Sequence, residues 1–158
     1  MMIIEQPLSN DGSPKVVLGY WNLRGGPRAN PARYMLHYAG VPFEEKTYII
    51  GERDWLVDKR EMFDFVNLPY LLYGDLKISQ AYAVQQFIAE KFKPELLGAT
   101  PQERGRVYQL QGIAIENFLT FMKEGYRKVE KTHTAHYCLK YMDKFVKYLG
   151  DKKFLTGD

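Results

Sequence analysis

Apolar and polar positions follow two rhythms along this chain, and the change of rhythm divides it. Lys15 to Tyr20 (KVVLGY) is a β-branched, apolar run ending on an aromatic, the pattern of a buried strand. After a loop, Asn30-Pro31 supplies an N-cap and a proline at the first helical position. A helix is therefore predicted from Pro31 to about Ala39, with Gly40 as its C′ residue and Val41-Pro42 preventing continuation. Phe43 to Ile50 (FEEKTYII) has strand character, and Asp54 to Met62 reads equally as a short helix or an ordered loop. Leu68 to Tyr73, a Gly74-Asp75 turn and Leu76 to Ile78 predict a hairpin, because glycine at the first central position suits a type II′ turn. Gln80 to Phe92 then reads as a helix burying Val84, Phe87 and Ile88. The order is β-α-β followed by β-β-α, an α/β domain.

On either side of that domain the pattern changes. Residues 1–14 contain a polar, turn-rich stretch (EQPLSNDGSP) and read as a flexible leader. The α/β domain is expected over residues 15–92, a linker with two prolines and a glycine over 93–101, and an all-helical region over 102–158. In that region Val107, Leu110, Ile113, Ala114, Phe118 and Phe121 recur at three and four residues, as do Cys138, Met142, Phe145, Val146 and Leu149.

Composition narrows the function classes. With 46% hydrophobic and 15% aromatic residues among 158, the chain carries enough apolar material for a core. Its 22 basic and 19 acidic residues are interspersed, so no basic footprint for nucleic acid is expected. A single cysteine, Cys138, leaves no disulfide and no CxxC pair for redox work or zinc, which points to a reducing cytoplasm. No 18-residue apolar run predicts a membrane span, and Glu5 and Pro7 interrupt the apolar start. His133 and His136 are spaced HxxH without a third ligand nearby, so a solvated helix start is favoured over a metal site.

Three positions carry candidate chemistry. Tyr20 ends the first strand, where open α/β sheets bind ligands, although core packing is the commoner role for such a tyrosine. Pro69 opens a strand inside an apolar run, which predicts a cis Leu68–Pro69 bond and a Leu68 N–H and C=O presented as a two-point dock for a peptide. Gln80-Ala81 begins a helix, whose free N–H groups attract a carboxylate.

Taken in order, Gly19-Tyr20-Trp21-Asn22-Leu23-Arg24-Gly25, Trp55 with Lys59 four residues on, Asp64-Phe65-Val66-Asn67-Leu68-Pro69-Tyr70-Leu71 and Ile78-Ser79-Gln80 resemble the cytosolic glutathione transferases, most closely the mu class. The resemblance runs from about Val16 to Asp158. It implies a thioredoxin-like domain followed by a shortened all-helical one, glutathione as co-substrate, no metal, a small hydrophobic electrophile and a homodimer. It further implies that Tyr20 donates a hydrogen bond to the glutathione sulfur, and that Trp21, Leu23, Trp55 and Lys59 line the glutathione site, Trp21, Trp55 and Lys59 at its glycine end. Asn67 and Leu68 would hold the cysteinyl backbone, while Gln80 and the Ala81 N–H would take the γ-glutamyl carboxylate. Glu116 would reach the γ-glutamyl amine of a partner subunit, and Tyr126 would face the electrophile.

Three departures from the family pattern matter. Gly26-Pro27 lengthens the loop beside Tyr20, which either disturbs the thiolate geometry or reshapes the electrophile pocket. Ala81 replaces a serine, removing one hydroxyl from the carboxylate subsite. The sequence ends at Asp158, roughly sixty residues before the family pattern does, whether as a short form, a fragment or an incomplete gene model. Conjugation of glutathione is the leading expectation, and a non-catalytic glutathione-binding or structural protein on the same scaffold is the alternative.

Overall fold

The computed structural model describes residues 12–23, 26–126 and 131–156, without the side chains of 124–126, 131–135, 137 and 138. Arg24, Gly25, Arg127, Lys128 and the side chains of Tyr126, Lys131, His133 and Cys138 thus lie outside the described residues. The chain divides into two units, parting between Leu96 and Leu97.

The first unit contains β1 (Val16–Trp21), α1 (Asn30–Tyr38), β2 (Phe43–Tyr48), α2 (Asp54–Glu61), β3 (Tyr70–Tyr73), β4 (Leu76–Ser79) and α3 (Ala81–Phe92). The strands form one sheet in the order β2-β1-β3-β4. β1 and β2 run parallel, with Trp21 opposite Tyr48, while β3 is antiparallel to β1 and to β4. This is the thioredoxin-like arrangement implied by the resemblance.

Side-chain alternation along the strands gives the sheet two apolar faces. On one, Val16, Leu18 and Leu71 pack with Ala32 and Leu36 of α1 and Val84 and Ile88 of α3. Phe87, expected to be buried beside them, is half-buried and stacks with Tyr73 and Phe92. On the other, Tyr48, Tyr70 and Leu72 meet Trp55, Val66 and Leu68, and Tyr20 joins this cluster. Gly19 is required by close approach: it pairs with Tyr70, and a Cβ there would overlap the Tyr70 ring carbons Cε1, Cζ and Cε2.

Three local expectations change. Asn30 does not cap α1; the N–H groups of Ala29 and Asn30 both donate to Gly26 O, so the loop winds into the helix with Ala29 as N-cap. That frees Asn30 Oδ1 to accept from Arg33 Nη1 at 2.8 Å. β2 stops at Tyr48 rather than Ile50, because the chain turns through Gly51 at φ +94° with Glu52 N–H donating to Ile49 O. The helix expected from Gln80 starts at Ala81, with Gln80 as its N-cap. Asp54–Glu61 resolves as helix. Gly74 has φ +57° and Asp75 is not in the left-handed region, as a type II′ turn requires.

In the second unit, α4 (Pro101–Tyr126) follows a 3-10 turn at Pro94–Leu97 that bridges the two units, and α5 (Lys131–Leu149) packs on α4. Of the apolar repeat in α4, Val107 is buried, whereas Ile113 and Phe121 remain more than a third exposed, as do Met142 and Val146 of α5.

Candidate functional site

Strand register brings distant segments to one edge of the sheet. Gly19 lies opposite Tyr70 and Tyr70 opposite Ser79, so Tyr20, the Asn67-Leu68 pair and the Gln80-Ala81 pair end on neighbouring strands at the same side. The parallel pairing of β1 with β2 adds Trp21 and Tyr48 to that edge. It is the carboxyl end of the parallel strands, where open α/β sheets receive ligands.

Tyr20 is only 6% exposed and belongs to the cluster with Trp55 and Leu68. Its ring is also approached by Gly26, where a Cβ would stand 3.2 Å from Cδ1 and would overlap Arg33 Nη1. The Arg33 guanidinium lies 6.0 Å from the ring centroid and is fixed by a two-point pairing of Nε and Nη2 with the Glu45 carboxylate. A cation over an aromatic face is attracted to its quadrupole, so the Arg33–Glu45 pair braces the tyrosine from α1 and β2.

Trp55 is buried on α2 and meets Trp21 edge-on, with ring centroids 6.0 Å apart. Lys59 is exposed one turn later. Asn67 is exposed, Leu68 is buried, and the Leu68–Pro69 bond is cis. The Leu68 N–H donates to Asn67 Oδ1 at 2.9 Å, so a peptide carbonyl taking this donor displaces the Asn67 amide. Leu23 is exposed at the end of the described part of the loop after β1.

Gln80 is exposed and held at φ +76°, a left-handed conformation that costs a non-glycine residue about 1–3 kcal/mol. Such conformations concentrate at functional sites, and this one stands at the N-cap of α3, where the first N–H groups of a helix have no acceptor within the helix. Ala81 follows, half-buried, with no hydroxyl to add to them. Glu116 is exposed on α4 in the second unit, and the Tyr126 side chain falls outside the described residues. No group of three or more His, Cys, Asp or Glu able to hold a metal occurs among the described residues, and His136 is exposed.

The structure adds residues that the sequence pattern did not single out. Tyr48 and Tyr70 are both buried, their hydroxyls 2.7 Å apart, and Tyr48 donates to Asp58 Oδ2 at 2.6 Å. Burial foremost pushes the Tyr48 hydroxyl far above the usual phenol range, and burial raises Tyr70 to about 12. For Tyr48 the sequence signal was an aromatic closing the polar stretch EEKT, and Tyr70 stood in the Asp64–Leu71 motif with no role of its own. Phe65 is the second addition: it is 94% exposed, in the left-handed region at φ +59°, with its carbonyl held by Ser79 Oγ at 2.8 Å.

Residues 16–90 match the family described as glutathione S-transferase, N-terminal domain. A class-mu 26 kDa glutathione S-transferase isozyme of Fasciola hepatica is 35% identical over 146 residues, covering 89% of this chain and 65% of the relative. Glutathione S-transferase Y1 of Cricetulus longicaudatus is 33% identical, covering 90% of this chain and 68% of the relative. A solved glutathione S-transferase of Caenorhabditis elegans superposes with a TM-score of 0.73 at 25% identity, covering 89% of this chain and 70% of that one. The chain thus spans just under two thirds of the length of the Fasciola relative.

Proposed function

Because the chain belongs to the glutathione S-transferase family, we propose that it binds glutathione at the carboxyl edge of β1 and β2 and transfers its thiolate to small hydrophobic electrophiles. The observation that carries this reading is the convergence, on one edge, of Tyr20, the Trp21–Trp55 pair, the Asn67-Leu68 segment and the Gln80-Ala81 helix start. These supply, in turn, a hydroxyl donor, an aromatic wall, a peptide-like backbone edge and an anion-binding helix terminus.

The chemistry follows from the thiol. A free thiol with a pKa near 8.5 is only a few per cent ionised at neutral pH, and the thiolate is the nucleophile. Lowering that pKa by about two units takes roughly 2.7 kcal/mol. One charge-assisted hydrogen bond from Tyr20, worth about 1.5–3 kcal/mol, is of that size. Within the site, Trp21, Leu23, Trp55 and Lys59 line the groove, Asn67 and Leu68 hold the cysteinyl backbone, and Gln80 with the Ala81 N–H takes the γ-glutamyl carboxylate. Glutathione brings its own nucleophile, so the lone cysteine has no part in the reaction.

The protein acts as a homodimer in the cytosol. Phe65 supports the dimer, since a fully presented aromatic on a loop tied down by Ser79 suits insertion into a second copy. Glu116 then reaches the partner's glutathione, and Tyr126 faces the electrophile. The single Cys138 is the usage of a reducing compartment.

The test is retention on immobilised glutathione and calorimetric binding, followed by conjugation of an activated aryl halide by the same sample. Binding with turnover is expected. Absence of binding refutes the site, and binding without turnover refutes catalysis.

A further inference from the structure

Helix α2 carries Trp55 and Lys59 but has little to hold it. Trp55 is its one buried residue, and no side chain caps its start. One apolar anchor fixes where a short helix lies but leaves it free to rotate about that anchor. The second attachment is polar. Tyr48 donates to Asp58 Oδ2 at 2.6 Å, and its oxygen lies 2.7 Å from the Tyr70 hydroxyl. A phenol has one proton, so with Tyr48 spent on Asp58 the remaining bond runs from Tyr70 to Tyr48. The relay Tyr70→Tyr48→Asp58 crosses from the middle of the sheet to α2, and both tyrosines are about as buried as any described residue. Lys46 Nζ approaches the same Asp58 oxygen at 3.8 Å from the solvent side. Asp58 stands three residues after Trp55 and one before Lys59, a spacing that puts all three on one side of α2. The Trp55 ring in turn meets Tyr48 edge-on at 5.2 Å.

We propose that this hydroxyl relay is a positioning device that sets the rotation of α2 on the sheet, and thereby the affinity for glutathione at Trp55 and Lys59, without entering the reaction. The proposal rests on the glutathione-binding reading above. The buried end of this network specifies one orientation, because turning α2 withdraws Asp58 from the buried Tyr48 hydroxyl and leaves that donor unpaired. Tyr48, Asp58 and Tyr70 are positioning residues: their effect passes through α2.

The variants Tyr48→Phe and Asp58→Ala break the relay, and Asp58→Asn keeps an oxygen acceptor for Tyr48. Each breaking variant is expected to raise the KM for glutathione about tenfold, with kcat and the KM for the electrophile within about twofold, and Asp58→Asn to recover most of the loss. Combined with Lys59→Ala, Asp58→Ala is expected to add less than its separate effect, since both act through one contact. Hydrogen exchange of the Asp54–Glu61 amides, measured without ligand, should quicken in both breaking variants while β1 and β3 stay protected. Asp58 lies at the rim, so Asp58→Ala folds even if Tyr48→Phe does not. An unchanged glutathione KM in Asp58→Ala, full additivity with Lys59→Ala, or unaltered α2 exchange overturns the proposal. Wild-type chain that fails to bind glutathione refutes the proposed function instead, and the exchange measurement still decides whether the relay holds the helix.

Discussion

Tyr20→Phe isolates the proposed activating hydroxyl. The ring, almost wholly buried between the Trp55–Leu68 cluster and the Gly26 backbone, keeps its contacts when only the oxygen is removed, so the fold is expected to persist. What is lost is one charge-assisted bond to sulfur of about 1.5–3 kcal/mol, which at 1.36 kcal/mol per unit is a rise of about one to two units in the bound thiol pKa. In the parent chain that pKa is then about 6.5–7.5, against about 8.5 for the free thiol. The bond favours the ionised form, so its contribution is felt below the higher pKa and vanishes above it. At pH 6.5 and saturating glutathione, kcat/KM for an activated aryl halide should fall roughly 10- to 50-fold, and by pH 9.5 the two proteins should converge to within about threefold. By linkage, glutathione affinity in the variant should be within about twofold of the parent at pH 6.5 and weaken toward a loss of roughly 10- to 100-fold by pH 9.5. Parallel pH profiles, or a constant ratio from pH 6 to 9.5, would refute the assignment of Tyr20.

Three other substitutions probe separate parts of the structure. Ala81→Ser returns a hydroxyl to the start of α3 and is expected to tighten glutathione binding by about 1.5–3 kcal/mol in calorimetry; unchanged affinity removes the γ-glutamyl carboxylate from this subsite. Gly19→Ala forces its methyl into the Tyr70 ring, combining overpacking with disruption of a buried hydroxyl pair, and should cost about 3–5 kcal/mol in denaturant unfolding. A loss below about 1 kcal/mol would mean the ring has room to move. Phe65→Ser should shift the sedimentation mass from dimer toward monomer while leaving the unfolding midpoint of the first unit nearly unchanged, since the ring is almost fully solvated; a dimer of unaltered affinity would sink the role given to Phe65.

Local signals revealed most of the first unit. Pro31, Gly40, Pro42 and Gly74 punctuate the chain through their own backbone preferences, and α1, the hairpin and α3 fall where those residues put them. The residues proposed to hold glutathione came from the resemblance of short motifs, and the register of β1, β3 and β4 brings Tyr20, Asn67-Leu68 and Gln80-Ala81 to one edge. What stayed hidden depends on pairing across the fold. Asn30 carries the side chain of a cap, yet Arg33 claims its oxygen because Glu45 draws the guanidinium into place from another strand. Tyr48 and Tyr70 are 22 residues apart, and only the stacking of β2, β1 and β3 brings their hydroxyls together. Phe65 looked like any motif residue because exposure has no signature in sequence. In the second unit, a helical repeat predicted α4 and α5 but could not say which apolar positions find a partner.

The first turn of α4 has a property with practical weight. Glu103 N–H donates to Thr100 Oγ1 at 3.2 Å, Glu103 Oε2 accepts from the Ala99 N–H at 2.6 Å and from the Thr100 N–H at 3.2 Å, and Arg104 Nε donates to Gly98 O at 3.1 Å. These partners lie within seven consecutive residues, forming a reciprocal cap at the helix start. The helical unit therefore carries its own start signal. A chain opened just before Leu97, or a graft joining this segment to a different α/β domain, would keep every one of these bonds, making the junction a natural seam for split-protein complementation and domain exchange.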